Sequence, residues 1–86
     1  MKRYSYKTHG TCSRQIDVTL DGDVIVDVVF HYGCNGNTQG VSALVKGMRA
    51  EDAIARLRGI DCNGKGTSCP DQLARALSDM LNGAGE

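Results

Sequence analysis

The chain has 86 residues, ten basic and ten acidic side chains that cancel to a formal charge of zero, three Tyr, one Phe and no Trp. Balanced charge and scarce aromatics argue against a nucleic-acid partner, which calls for a basic excess and stacking surfaces, and no apolar run approaches the roughly 18 residues of a membrane span. One domain over residues 1–86 is expected, of a size that buries only about 60% of the surface of its unfolded chain, so a staple from its four cysteines would help it fold.

Met1 to Gly10 carries basic residues with no apolar segment behind them, so no signal peptide is expected and the chain is assigned to the cytoplasm. Lys2, Arg3, Lys7, His9 and Arg14 read as a solvated strand surface. Tyr4 and Tyr6 alternate with Arg3, Ser5 and Lys7, and this period of two predicts a strand over residues 3–8. His9-Gly10-Thr11-Cys12-Ser13 breaks the pattern and leaves Cys12 in a connection. A second strand is predicted over 14–20, with Ile16, Val18 and Leu20 on one face and Gln15, Asp17 and Thr19 on the other. Asp21-Gly22 signals a tight hairpin, since Gly accepts the positive φ of a type I′ turn. A third strand over 23–32 then pairs back antiparallel, with Val24, Val26, Val28 and Phe30 facing the core and Ile25, Asp27, Val29 and His31 facing away. The mixed character of that second face suggests cover on both sides.

Gly33-Cys34-Asn35-Gly36-Asn37 ends the strand, and Asn37 or Thr38 can cap a first helix over 38–47. Val41, Leu44, Val45 and Met48 make its apolar stripe, and Gly47 unwinds it. A second helix over 50–58 turns Ala53, Ile54 and Leu57 inward and stops at Gly59, although Met48 and Arg49 are poor caps. Cys62, Gly64 and Gly66 fall in a loop. A third helix over 69–81 starts at Thr67-Ser68-Cys69-Pro70-Asp71, where Pro70 suits the first turn and Ser68 with Asp71 has the spacing of a capping box. Its stripe is Leu73, Leu77, Met80 and Leu81, and the Gly-rich residues 82–86 should fray. The fold class is thus α+β, a three-stranded antiparallel sheet followed by three helices packed on it.

Cys12, Cys34, Cys62 and Cys69 all lie at the ends of elements, none in a strand alternation or a helical stripe, where a thiol serving as core filler would fall. Cys12 precedes one strand and Cys34 ends its hairpin partner, so the two should be neighbours. Cys69 meets the unpaired N–H groups and positive pole of a helix start, which favour the thiolate. Four thiolates suit zinc or iron, an iron-sulfur cluster included, and thiols of a reducing compartment are more often ligands or catalysts than disulfides. His9 and His31 are weaker candidates, read as strand-edge residues. No Ser/His/Asp arrangement, phosphate-cradling glycine loop or carboxylate pair stands at the cysteine loops, so hydrolytic catalysis has no support.

The stretch Thr67-Ser68-Cys69-Pro70-Asp71 spells the motif of the TSCPD domain, and the whole chain resembles the stand-alone four-cysteine members of that family. The domain is also a C-terminal appendage of adenosylcobalamin-dependent ribonucleotide reductases. The resemblance implies metal binding or thiol exchange, with a larger protein such as a ribonucleotide reductase or a metal- or sulfur-transfer protein as partner. A more distant resemblance is to the IscU/NifU-type iron-sulfur scaffold fold. It rests on Cys12 after a small-residue turn, Phe30-His31-Tyr32-Gly33-Cys34, Val45-Lys46-Gly47, and Cys69 opening the last helix, and it carries the three scaffold cysteines over to Cys12, Cys34 and Cys69. Two departures go with it. Arg14 stands where the scaffolds have an aspartate and Ser68 where they have a histidine, which implies a site that retains its metal rather than passing on a transient cluster.

The leading expectation is a metal-binding module with Cys12, Cys34, Cys62 and Cys69 as ligands and no catalytic residues. A thiol-disulfide module is the first alternative, in which Cys69 attacks and Cys62 resolves across the flexible loop holding Gly64 and Gly66. The second is a non-catalytic interaction module with structural cysteines.

Overall fold

The computed structural model describes residues 1–8, 14–31, 35–60 and 67–85, and of residues 35–37 the backbone alone. Three strands, β1 (Lys2–Lys7), β2 (Gln15–Asp21) and β3 (Val24–His31), form an antiparallel sheet in the order β1-β2-β3, and three helices follow, α1 (Asn35–Val45), α2 (Ala50–Leu57) and α3 (Cys69–Leu81). This is the expected α+β architecture. Among the described residues no helix is long and apolar enough to cross a membrane.

The alternation of β2 works as read: Ile16, Val18 and Leu20 are buried and form the floor of the core. Tyr4 and Tyr6 pair with Val18 and Ile16 and pack half-buried on the same face. The hairpin is displaced by one residue from its expected position. Asp21 still pairs with Val24, so the two-residue turn is Gly22-Asp23, with Gly22 at φ +63°.

β3 departs further from the expected faces. Thr19 pairs with Asp27 but Leu20 pairs with Ile25, so Val26 is an extra residue in a β-bulge. A one-residue shift moves a side chain to the other face. Ile25 is therefore buried beside Leu20, while Val24 and Val26, expected inside, are exposed. Beyond the bulge the expected order returns, with Val28 buried, Phe30 packed against the core and Val29 exposed.

α1 starts at Asn35, ahead of the expected 38, so Asn37 and Thr38 lie inside its first turn rather than at its cap. It ends at Val45, and Gly47 turns the chain at φ +85°. Residues 47–50 then run beside the start of β3: Gly47 N–H donates to Ile25 O (2.8 Å), Ile25 N–H to Met48 O (2.9 Å) and Ala50 N–H to Asp23 O (2.7 Å). This explains how α2 begins without a side-chain cap. One of its orphan N–H groups is satisfied by the hairpin carbonyl, and the same contacts cover that stretch of sheet edge.

α3 is the central helix. Leu73, Ala74, Ala76, Leu77 and Met80 are buried, but Leu81, expected in the stripe, is 47% exposed. Residues 82–85 do not fray as expected. Ala84 N–H donates to Asp79 O (2.9 Å) and Gly83 N–H to Met80 O (3.1 Å), the Schellman pattern, with Gly83 at φ +106°. Gly85 then lies against β1, where an added Cβ would stand 2.7 Å from Arg3 O.

Candidate functional site

Ser68 is the N-cap of α3 and Cys69 its first helical residue. Ser68 has extended backbone, φ −154° and ψ 171°, and its Oγ accepts a hydrogen bond from Asp71 N–H at 3.1 Å. Pro70 sits in the first turn, where its missing N–H costs no helical hydrogen bond. The Ser68–Asp71 spacing thus delivers one arm of a capping box. The carboxylate of Asp71 has other work.

The Asp71 carboxylate is held from three directions. Its Oδ2 accepts from Thr67 Oγ1 at 2.5 Å and from Arg75 Nε at 3.1 Å, and its Oδ1 accepts from Gly59 N–H at 2.7 Å. Gln72 Nε2 donates to Thr67 Oγ1 at 2.9 Å, and the Asp71 and Gln72 side chains are buried. Burial pushes the Asp71 carboxyl up, but the bonds from Thr67 and Gly59 and the charge of Arg75 outweigh it and hold the group below its ordinary value. The consequence is positional. One carboxylate joins the end of α2, at Gly59, to the start of α3, and so closes the span from Ile60 to Thr67 that contains Cys62.

Cys69 lies beside this network and is 6% exposed. Cys12, Cys34 and Cys62 lie outside the described residues, as does His9. Among the described residues no three His, Cys, Asp or Glu side chains form a group that could hold a metal.

The positions from which those cysteine segments depart are described. Thr8 N–H donates to Arg14 O (3.2 Å) and Arg14 N–H donates to His31 O (2.8 Å), so the end of β1, the start of β2 and the end of β3 lie together at one end of the sheet. β1 runs alongside α3 in the opposite sense. Lys2 Nζ donates to Met80 O (3.1 Å) and Tyr4 OH to Asp79 Oδ2 (3.3 Å) at one end, while Tyr6 lines a groove with Asp71 and Arg75 at the other. The end of the sheet formed by Thr8, Arg14 and His31 is therefore on the side toward the start of α3.

On the outer face of the sheet His31 Nε2 and Asp17 Oδ2 are 2.7 Å apart, and Gln15 Nε2 donates to Asp17 Oδ1 at 2.9 Å. Burial raises the Asp17 carboxyl, and hydrogen bonds from His31, Gln15 and Ser5 with the charge of His31 more than reverse this, leaving it below its ordinary value. Neither this pair, nor Gly59 and Arg75 as partners of Asp71, nor Gln72 as a donor to Thr67, was read from the sequence. The i, i+4 spacing of Asp71 and Arg75 was a legible signal. The reach of Gly59 across twelve residues was not.

A family model described as TSCPD domain matches residues 1–81. No curated protein and no solved structure shows a significant match to the chain.

Proposed function

The chain belongs to the TSCPD domain family, and we propose that it is a metal-binding module in which Cys12, Cys34, Cys62 and Cys69 hold zinc or iron, an iron-sulfur cluster included. The observation that carries this reading is where the cysteine segments attach. The chain leaves for Cys12 after Thr8 and returns at Arg14, leaves for Cys34 after His31, and leaves for Cys62 after Ile60. Thr8, Arg14 and His31 are joined by backbone hydrogen bonds on the side of the sheet toward the start of α3, and Gly59 is bonded to Asp71 beside Cys69. Short connections from there can aim thiolates at a common point, and four such donors suit tetrahedral zinc or iron. The cytoplasm fits unbridged thiols, and a larger protein, a ribonucleotide reductase or a metal- or sulfur-transfer protein, fits the family as partner. Ser68, where the IscU/NifU-type scaffolds have a histidine, spends its side chain on the helix cap. That supports a retained metal over a labile cluster.

The burial of Cys69 bears on the thiol-disulfide alternative. An attacking thiolate has to reach its target, and a thiol 6% exposed reaches one only after its surroundings open. A buried ligand needs no such access.

Elemental analysis of reduced, chelator-free protein purified anaerobically is the test. About one zinc or iron per chain, lost in Cys69→Ser together with thermal stability, is the expected result. Metal-free protein whose Cys69 alkylates rapidly near neutral pH would transfer the assignment to thiol exchange.

A further inference from the structure

α1 and α2 leave an apolar groove between them. Val45, Met48, Ala53 and Leu57 line it, and Asp52 and Arg56 stand at its sides. Leu44 was expected in the inward stripe of α1, yet it is 78% exposed at the rim of this groove. Among the described large apolar side chains only Met1 is as exposed. An apolar side chain left in water beside an apolar groove marks a surface that is covered in use.

The charges decide by what. Asp52 and Arg56 are one helical turn apart, a spacing that suits an internal ion pair, but no ion pair joins them. An acid and a base flanking one short helix are complementary to the same helix turned end over end. A strongly charged partner would instead meet one attractive and one repulsive group.

We propose that this groove is the contact between two copies of the chain, related by a two-fold axis that passes between their antiparallel α2 helices at mid-length. The axis sets Asp52 of each copy against Arg56 of the other and each Leu44 over the opposing groove, the self-complementary arrangement of a two-fold interface. α2 has eight residues, about 12 Å of helix. The buried area therefore falls at the low end for specific interfaces, below about 1,200 Å², and the dimer is a weak, concentration-dependent one.

Sedimentation velocity of the purified full-length chain from about 1 to about 200 µM reads this directly. The expected result is a concentration-dependent shift from monomer to dimer, weakened at least about tenfold by Leu44→Asp, by Asp52→Arg and by Arg56→Asp, with the last two substitutions combined restoring it. All three side chains are exposed, so the variants should keep the native far-ultraviolet circular dichroism. Any that does not is replaced by Leu44→Gln, Asp52→Lys or Arg56→Glu. A chain monomeric throughout the range, a dimer indifferent to Leu44→Asp, or a double charge reversal that fails to recover association would each overturn the proposal. Metal content measured on the same samples separates this outcome from that of the cysteine site.

Discussion

Asp71 illustrates how one side chain can serve position more than chemistry. Its carboxylate has lost nearly all contact with water, its side chain being 6% exposed, and is compensated by Thr67, the Gly59 amide and Arg75. Removing the charge leaves those donors facing a poorer acceptor, so Asp71→Asn should cost about 2–4 kcal/mol in a urea titration, from hydrogen bonds to a buried charge. Ser68→Ala removes only the cap and should cost about 1 kcal/mol. The acid dependence follows from the same carboxylate. Its folded value lies below the ordinary 3.8, so it stabilises the fold fully above that value, and the contribution is lost as pH falls through the lower folded value. Asp17 is depressed in the same direction, but its side chain is 40% exposed and its pair with His31 is screened by solvent. Stability profiles below pH 5 should therefore flatten more in Asp71→Asn than in Asp17→Asn. Equal flattening would mean that the burial of Asp71 carries no special weight.

At the level of elements, the ends matter more than the middles. α2 lacks a side-chain cap and instead takes a hydrogen bond from Ala50 N–H to the hairpin carbonyl of Asp23, a long-range substitute for a local signal. α3 is closed at both ends, by Ser68 and by the Schellman turn at Gly83. Nothing lies within 4 Å of a Cβ placed on Gly83, so Gly83→Ala tests backbone strain alone. The positive φ should cost about 1 kcal/mol, read as a lowered melting temperature with an unchanged spectrum. Gly85→Ala adds a clash with the Arg3 carbonyl at 2.7 Å. The tail can escape it by lifting off β1, so its cost is capped by what that packing contributes.

For the molecule as a whole, α3 is the mast to which the sheet and α2 are tied. Leu77 is fully buried in the cluster that joins them, and Leu77→Ala should lose about 3 kcal/mol, the transfer term plus an unfilled cavity. That is a large share of the stability of a chain this short. Holding the metal in excess should recover part of the loss if Cys12, Cys34, Cys62 and Cys69 bind it only when folded, since a ligand specific to the native state stabilises it by mass action. Thermal melts of Leu77→Ala with and without added zinc check this, and identical melts would count against the four-cysteine site.

Much of the fold was legible from local pattern. Period-two alternation located all three strands, Gly22 located the hairpin to within one residue, and Thr67 to Asp71 located both the start of α3 and the family, because each of these signals is written in residues adjacent to where it acts. The faces of β3 were not legible, since a bulge at Val26 depends on how two strands settle against each other and reverses every inference made from alternation before it. Nor was the exposure of Leu44, which satisfies the helical stripe but lies beyond the reach of the sheet. The clasp of Asp71 on Gly59 belongs with these: a carboxylate chooses its partners from whatever the folded chain brings within 3 Å, and only tertiary packing decides what that is.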